Sequence, residues 1–215
     1  MVKKQDQPGK TPTIVEILQD IQTEMDRRCT RKQARPMVGL LLLRLIATAG
    51  FVLSVLGYLP GDLQSDLEFF IDLGCMICLF ALYAAHSQYR TGAIWMAVSL
   101  GIRFFSYFLG SPSLWMVAAG LCVLVSNFVE YNAHAFVLDK FRSALAQRWS
   151  NLCFWAFGVV FAGAFAFIVT LTLSYVLEGL SLLLIIISYG PDLLVDILYL
   201  IHLGRTIRLI NKEGT

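Results

Sequence analysis

The sequence predicts an all-α integral membrane protein with six transmembrane helices arranged as three helical hairpins. The 215-residue chain is 57% hydrophobic and 15% charged, whereas a soluble domain is close to half apolar and about a quarter charged. After a polar start, the apolar residues fall into blocks long enough to cross the hydrocarbon core of a bilayer. These predicted spans are 37–59, 69–87, 91–109, 114–138, 151–177 and 180–204, which together form a bundle over 37–204.

The basic residues predict how this bundle is oriented. Of the 17 lysines and arginines, only Arg44 and Arg103 lie inside predicted spans. All the others lie before span one, between spans two and three, between spans four and five, or in a basic tail over 205–215. Loops rich in Lys and Arg stay in the cytoplasm. We therefore expect a multi-pass protein of the plasma (inner) membrane with both termini in the cytoplasm. Its expected partner is the lipid bilayer, and no nucleic acid is expected to bind.

A cytoplasmic tail over residues 1–36 precedes the first span. The stretch "TIVE" over 13–16 has capping-box spacing, and apolar residues then recur on one helical face. This pattern predicts an amphipathic helix over about 13–28 that ends in the basic run near Arg28. Two interpretations remain open for this helix. It either lies against anionic lipid at the membrane surface or docks onto a protein partner, and a homo-oligomer is also compatible with the sequence.

A short pattern recurs at the predicted cytoplasmic ends of spans two, four and six. The stretches "YAAH", "YNAH" and "YLIH" each place a tyrosine three residues before a histidine. If the pattern marks a repeat, the bundle has pseudo-threefold symmetry and these side chains form a cytoplasmic gate. The alternative is that tyrosine and histidine favour the membrane interface on their own account. The residues concerned are Tyr83, His86, Tyr131, His134, Tyr199 and His202.

Charged residues inside predicted spans are the strongest pointers to a functional site, because each costs several kcal/mol unless it is paired or hydrated. A rise of about 1.5 Å per residue places them in two layers. The outer layer would hold an ion pair between Asp72 and Arg103. The inner layer would hold Arg44, Glu130, Asp192 and Asp196, where one arginine cannot neutralise three carboxylates.

Three roles are open for the inner layer. In the first role, the charges form ion pairs that hold the helices in register. In the second, they form a site for a proton, a cation or a substrate. In the third, they bind a metal. In the second role Asp192, Asp196 and Glu130 form the site, and Arg44 supplies the counter-charge. Pro191 favours a polar cavity beside the two aspartates because it frees the carbonyl of Ile187. The metal interpretation rests only on the i, i+4 pairs Glu130/His134 and Asp192/Asp196, and the metal's identity is unknown.

The expected function is translocation of a small solute or ion, as in a transporter or channel, coupled to protons. A non-catalytic membrane subunit that binds a partner through its N-terminal helix is the main alternative, and an intramembrane metal-dependent enzyme is the third. The sequence has no zinc-protease, nucleophile-elbow or phosphate-loop motif, so an enzyme is not favoured. No cofactor is indicated.

Overall fold

A computed structural model of the chain describes the backbone over residues 14–109, 112–139, 143–173 and 181–213. Side chains are described over 33–61, 63–106, 115–139, 143–163 and 190–212, together with Phe165 and Val169. Residues 1–13 of the predicted N-terminal tail, residues 214–215 of the predicted C-terminal tail, and the basic residues Lys140 and Arg142 lie outside the described residues, whereas residues 205–213 continue α6 as helix.

Within this part of the chain the fold consists of six helices and contains no strand, which confirms the predicted all-α class. Each helix packs against its neighbours in sequence, and α6 packs back against α1, so that the bundle closes into a ring. The helices are α1 (Ile14–Val55), α2 (Gly61–Leu82), α3 (Ser87–Leu109), α4 (Pro112–Asp139), α5 (Ala144–Leu173) and α6 (Ser181–Glu213).

The N-terminal helix differs from its prediction. It does not end near Arg28 but continues through Pro36 into the first apolar block, as a single 42-residue helix. The run from Arg27 to Arg35 contains no glycine, and Arg, Lys and Gln are good helix formers, so nothing there stops the helix. The side chains of residues 14–32 lie outside the described set, and the predicted contact of this helix with anionic lipid stays a prediction.

Local sequence explains where other helices begin and end. After α1, Gly57 adopts a φ of 77°, and the amide of Tyr58 donates to the carbonyl of Leu53 at 2.9 Å. This is the glycine-based Schellman ending of a helix. Pro112 is the first residue of α4, where a missing N–H costs nothing. Ser143 caps α5, since its Oγ accepts a hydrogen bond from the amide of Leu145 at 3.2 Å.

The fully buried core lies at one end of the ring, which we call the base. The base carries the α2–α3 turn, the last turn of α4, the first turn of α5 and the C-terminal turns of α6. Bulky side chains fill it without solvent exposure, and polar side chains are buried among them. The exterior is apolar, and aromatic side chains such as Phe154 (81% exposed) and Phe165 (70% exposed) project outward. Two segments are long and apolar enough to cross a membrane by length and composition, Gln33–Val55 in α1 and Trp115–Asp139 in α4, among the described residues.

Glycines allow α1 and α2 to approach closely. A Cβ atom added to Gly74 would lie 2.8 Å from Cδ1 of Leu43, and one added to Gly39 would lie 3.1 Å from Sγ of Cys78. In contrast, a Cβ atom on Gly101 of α3 would meet nothing within 4 Å. Small residues therefore bring these two helices together, as in other closely packed helix pairs.

The same substitution at two glycines tests this packing. Gly74→Val should lower the free energy of unfolding by about 1–3 kcal/mol, because the added atoms overfill the α1–α2 interface. Gly101→Val is the matched control and should change it by less than about 0.5 kcal/mol. Thermal or denaturant unfolding of the purified variants measures both. Equal effects at the two positions would show that the α1–α2 contact is not tight.

Candidate functional site

A buried ion pair links α1 to α4 in the core of the ring. Nη2 of Arg44 lies 3.2 Å from Oε2 of Glu130 and donates a hydrogen bond to Oδ1 of Asn127 at 2.5 Å. Glu130 has no solvent exposure. Such a carboxylate is tolerated in a dry interior only when charge and hydrogen bonds compensate it, and Arg44 supplies both.

The second oxygen of Glu130 faces two other side chains. The hydroxyl of Tyr199 on α6 donates a hydrogen bond to Oε1 of Glu130. Nε2 of His134, one turn along α4, lies 3.5 Å from the same oxygen, and it has no hydrogen-bond partner among the described residues. On its other side, Nδ1 of His134 lies 2.8 Å from the hydroxyl of Tyr89 on α3. The network therefore joins four of the six helices through Glu130 and its neighbours.

Trp149 of α5 completes this cluster. Its ring stacks on His134 with centroids 4.5 Å apart and meets Tyr199 edge-on at 5.4 Å. Its Nε1 donates a hydrogen bond to Oγ1 of Thr206 on α6 at 3.0 Å, and Thr206 in turn donates to the carbonyl of His202 at 2.9 Å. The indole thus packs α5 against α4 and α6. Its apolar ring covers one side of the Glu130–His134 pair.

The two predicted aspartates of α6 lie apart from this ion pair. Asp192 is exposed and Asp196 is half-buried, and neither forms a salt bridge or a hydrogen bond with another described residue. They line a cavity of about 170 Å³ between α4, α5 and α6, whose wall includes Asn127 and Tyr131. Asn127, which lines the cavity, accepts a hydrogen bond from Arg44. The buried cluster and the cavity therefore share a wall.

The structure does not bring the predicted gate residues together. Tyr83 is 48% exposed and lies beside the guanidinium of Arg90, with 5.7 Å from its ring centroid to Cζ. His86 stacks on Phe136. In contrast, the tyrosines and histidines of the other two motifs, Tyr131, His134, Tyr199 and His202, are buried. The first motif follows α2, which packs between α1 and α3, whereas α4 and α6 both pack against α5. The repeat stays a prediction, but its three side-chain environments differ.

A second ion-pair network lies near the opposite end of the ring, which we call the top. Nη1 of Arg103 on α3 is 3.2 Å from Oδ2 of Asp72 on α2, as the sequence predicted, and 3.9 Å from Oε2 of Glu68. Glu68 also accepts a hydrogen bond from Gln64 at 2.9 Å, and Gln64 accepts one from Ser54 of α1. This network joins α1, α2 and α3, and among the described side chains it makes no contact with α4, α5 or α6.

The described side chains contain no group of three or more His, Cys, Asp or Glu residues that could hold a metal ion. Glu130 and His134 are adjacent, but the arginine and the tyrosines around them occupy the positions that further ligands would need. Asp192 and Asp196 face the cavity without a histidine or cysteine beside them. The predicted i, i+4 pairs therefore do not combine into one site.

Sequence reasoning missed two members of the cluster. Tyr89 was assigned to a loop, but it lies in the first turn of α3 with its side chain fully buried. Trp149 stands in the polar run "QRWSN" at the start of α5, which resembles an exposed helix end. A single large aromatic residue within a polar run, such as Trp149, could have indicated a side chain that faces the interior of the bundle. Comparisons of the chain with protein-family models, with curated proteins and with solved structures returned no match.

Proposed function

We propose that the six helices cross the plasma membrane, with both termini in the cytoplasm. The distribution of side chains supports this placement, because large aromatic residues face outward while Glu130 and His134 are completely buried. A water-soluble protein rarely leaves so much contiguous apolar surface exposed. The basic residues offer independent support, since they collect on the side of the base and are excluded from the opposite loops.

Within this membrane bundle, the protein binds and translocates a small cation or cationic solute, and it exchanges protons in the process. The observation that carries this proposal is the cavity that contains Asp192 and Asp196. A carboxylate at this depth is costly unless something neutralises it, and no described residue forms a salt bridge with either aspartate. A proton or a bound cation can supply the missing positive charge.

The surroundings of the cavity suit a solute that moves. Pro191 adjoins Asp192 and cannot donate a backbone hydrogen bond, so the carbonyl of Ile187 has no partner within the helix. Transporters commonly place ion sites where a helix backbone has unpaired carbonyls, and α6 stays continuous through Pro191. Asn127 lines the cavity and also accepts a hydrogen bond from Arg44, so it connects the aspartate cavity to the buried ion pair. Arg44 then supplies a fixed positive charge beside the site, and Glu130 compensates it.

Neutralising both aspartates tests the proposal. Proteoliposomes with a pH-sensitive dye inside are exposed to gradients of Na⁺, K⁺ and ethylammonium, and the internal pH is followed. We expect the wild-type protein to change the internal pH with at least one of these cations. The double variant Asp192→Asn/Asp196→Asn should lose about 90% or more of this rate, since removing a buried ionic interaction commonly costs more than the 1.4 kcal/mol that corresponds to tenfold.

Asp66→Asn is the matched control, because it makes the same chemical change on an exposed residue of α2, near the top and outside the cavity. It should transport like wild type. If the double variant keeps the wild-type rate, or loses only thermal stability, the two aspartates are structural and the proposal is wrong.

The continuous helix α1 favours a second function, that of a membrane subunit. A 42-residue helix extends about 63 Å, well beyond the roughly 30 Å of a bilayer core, and so it presents its N-terminal turns to the cytoplasm as a rigid extension. Removing residues 1–28 should then abolish a stoichiometric complex with a co-purifying partner while the bundle still folds. If transport activity survives the deletion and no partner is lost, this second function is excluded.

A further inference from the structure

The cavity that contains the two aspartates of α6 has a charged side and an apolar side. Both carboxylates come from α6, where Asp192 and Asp196 lie one turn apart on the same helix face. The wall that α5 contributes is wholly apolar and consists of Ala156, Val159 and Val160. A ligand that satisfies both sides carries a positive charge at one end and hydrocarbon at the other.

Tyr131 gives an independent indication that the cavity takes a ligand. This side chain of α4 is 5% exposed and lines the cavity, yet its hydroxyl forms no hydrogen bond with a described residue. Buried hydroxyl groups nearly always have a partner. The neighbouring buried tyrosines do have one, since Tyr89 bonds to His134 and Tyr199 to Glu130. The hydroxyl of Tyr131 is therefore available to a molecule in the cavity.

The oxygen atoms that remain in the cavity match a primary ammonium. Asn127 also lines the cavity, but its Oδ1 already accepts a hydrogen bond from Arg44. The carboxylates of Asp192 and Asp196 and the hydroxyl of Tyr131 are left without a partner in the part of the chain that the structure describes. A primary ammonium has three N–H donors, and its hydrogen bonds to carboxylates are strengthened by charge.

A bare metal cation fits this lining less well. Hard cations such as Ca²⁺ and Mg²⁺ need about six oxygen ligands, and Na⁺ sites in transporters use the carbonyls of unwound helices. Here α6 stays helical through Pro191. The apolar wall would offer a metal ion no ligand, whereas aromatic rings such as that of Phe128, which also lines the cavity, attract organic cations.

The volume of the cavity sets the size of the apolar part. An apolar cavity of about 150 Å³ holds a benzene molecule, and this cavity measures about 170 Å³. Ala156 is the smallest residue of the α5 wall and is 8% exposed, so it leaves room where a larger side chain would fill the cavity. The space therefore suits a hydrocarbon body of benzene size.

We propose that the cavity binds a primary ammonium ion with an apolar body of about six or seven carbon atoms, of which benzylammonium is an example. The ammonium donates hydrogen bonds to Asp192, Asp196 and Tyr131, and the hydrocarbon packs against the apolar wall of α5. The ligand neutralises one carboxylate, and a proton on the other balances the second charge. This inference rests on the cation site proposed above and names its ligand class, but it does not require that the ligand crosses the membrane.

Competition for one labelled amine tests the proposal. Purified full-length protein in detergent is equilibrated with tritiated benzylamine at neutral pH, and unlabelled compounds are added. Benzylamine should compete about tenfold better than ethylamine or more, since each buried methylene group strengthens binding by about fourfold. Benzyl alcohol, which has the same body without the charge, should compete at least as poorly as ethylamine. Asp192→Asn/Asp196→Asn should lose binding, and Asp66→Asn should retain it.

Tyr131→Phe tests the hydroxyl without changing the charge of the cavity. It should weaken benzylamine binding by about tenfold, because the ammonium loses one hydrogen bond. The unfolding midpoint should not fall, because the hydroxyl has no partner among the described residues. Tyr58→Phe makes the same change at a position that is 76% exposed, and it should bind like wild type.

Ala156→Leu tests the size of the apolar side. The larger side chain should weaken benzylamine binding by about tenfold and change ethylamine binding little, because overfilling excludes only the larger body. Ala162→Leu is the matched control, since Ala162 is exposed on the same helix, and it should leave both affinities unchanged.

Three results would overturn the proposal: equal competition by benzyl alcohol, equal competition by Na⁺ or K⁺, or unaltered benzylamine affinity in Tyr131→Phe. The transport proposal fails or survives separately. Specific benzylamine binding by a protein that changes no internal pH in proteoliposomes would refute transport and leave this site intact. Cation-driven pH changes by a protein that does not bind benzylamine would retain transport and overturn the ligand class.

Discussion

Arg44→Met should be among the most destabilising substitutions in this protein. Removal of the guanidinium leaves Glu130 completely buried without its counter-charge. Breaking a buried ion pair from one side typically costs about 3–5 kcal/mol. We expect a loss of this size in the free energy of unfolding, measured by thermal or denaturant unfolding in a fixed detergent. Arg208→Met is the matched control, since Arg208 is exposed near the end of α6, and it should have almost no effect.

The double variant Arg44→Met/Glu130→Gln separates the charge effect from packing. With neither charge present, the uncompensated carboxylate disappears, and the double variant should be more stable than Arg44→Met alone by about 1–3 kcal/mol. A neutral glutamine can still accept a hydrogen bond from Tyr199. If the two single substitutions instead add without coupling, then Glu130 does not depend on Arg44, and the ion pair is not what stabilises this part of the core.

Trp149→Ala should be comparably destabilising for a different reason. The indole is fully buried among His134, Tyr131 and Tyr199, and truncating a buried tryptophan to alanine typically costs about 3–5 kcal/mol. Trp155 lies six residues farther along the same helix and is 66% exposed. Trp155→Ala therefore makes the same chemical change on the outer surface, and it should cost less than about 1 kcal/mol in detergent.

Thr206→Val tests the polar part of this contact. Valine keeps the shape of threonine but removes the acceptor of the Trp149 hydrogen bond. An unsatisfied buried N–H typically costs about 1–3 kcal/mol, so the unfolding midpoint should fall, though by less than in Trp149→Ala. Similar stability of Trp149→Ala and Trp155→Ala would show that Trp149 does not fasten α5 to the ring.

The helices were predictable because their signals are local. Apolar blocks act within a few residues, and each predicted span overlaps one helix, although the bounds differ: α2 begins at Gly61 and α5 at Ala144. Ser143 and Gly57 also act locally, but the sequence prediction did not use them. The end of the N-terminal helix was not predictable in this way. The basic run before Pro36 resembles a helix boundary because its charge differs from that of the apolar block after it. However, the run contains no residue that stops a helix, and a change in charge does not by itself end one.

The Asp72–Arg103 pair was also predictable, because the two residues lie on consecutive helices joined by a short turn, and their depth then determines their contact. The inner layer required the tertiary structure. Glu130, Asp192 and Asp196 lie at similar depth, and periodicity alone does not say which of them meets Arg44. Closure of the ring decides this. It turns Glu130 inward toward α1 and leaves the aspartates of α6 facing the cavity with α4 and α5.

The same distinction holds for the whole protein. Composition and periodicity determined the all-α class and the six apolar blocks, because both depend on residues close together in the chain. Only the packed ring decided that Tyr89, His134, Trp149 and Tyr199 share one core, that Tyr83 and His86 lie outside it, and that the aspartates of α6 line a cavity with α4. Those contacts join residues distant in sequence. They depend on how each helix is rotated about its own axis. All six helices are similarly apolar, so their sequences do not determine this rotation, and only packing does.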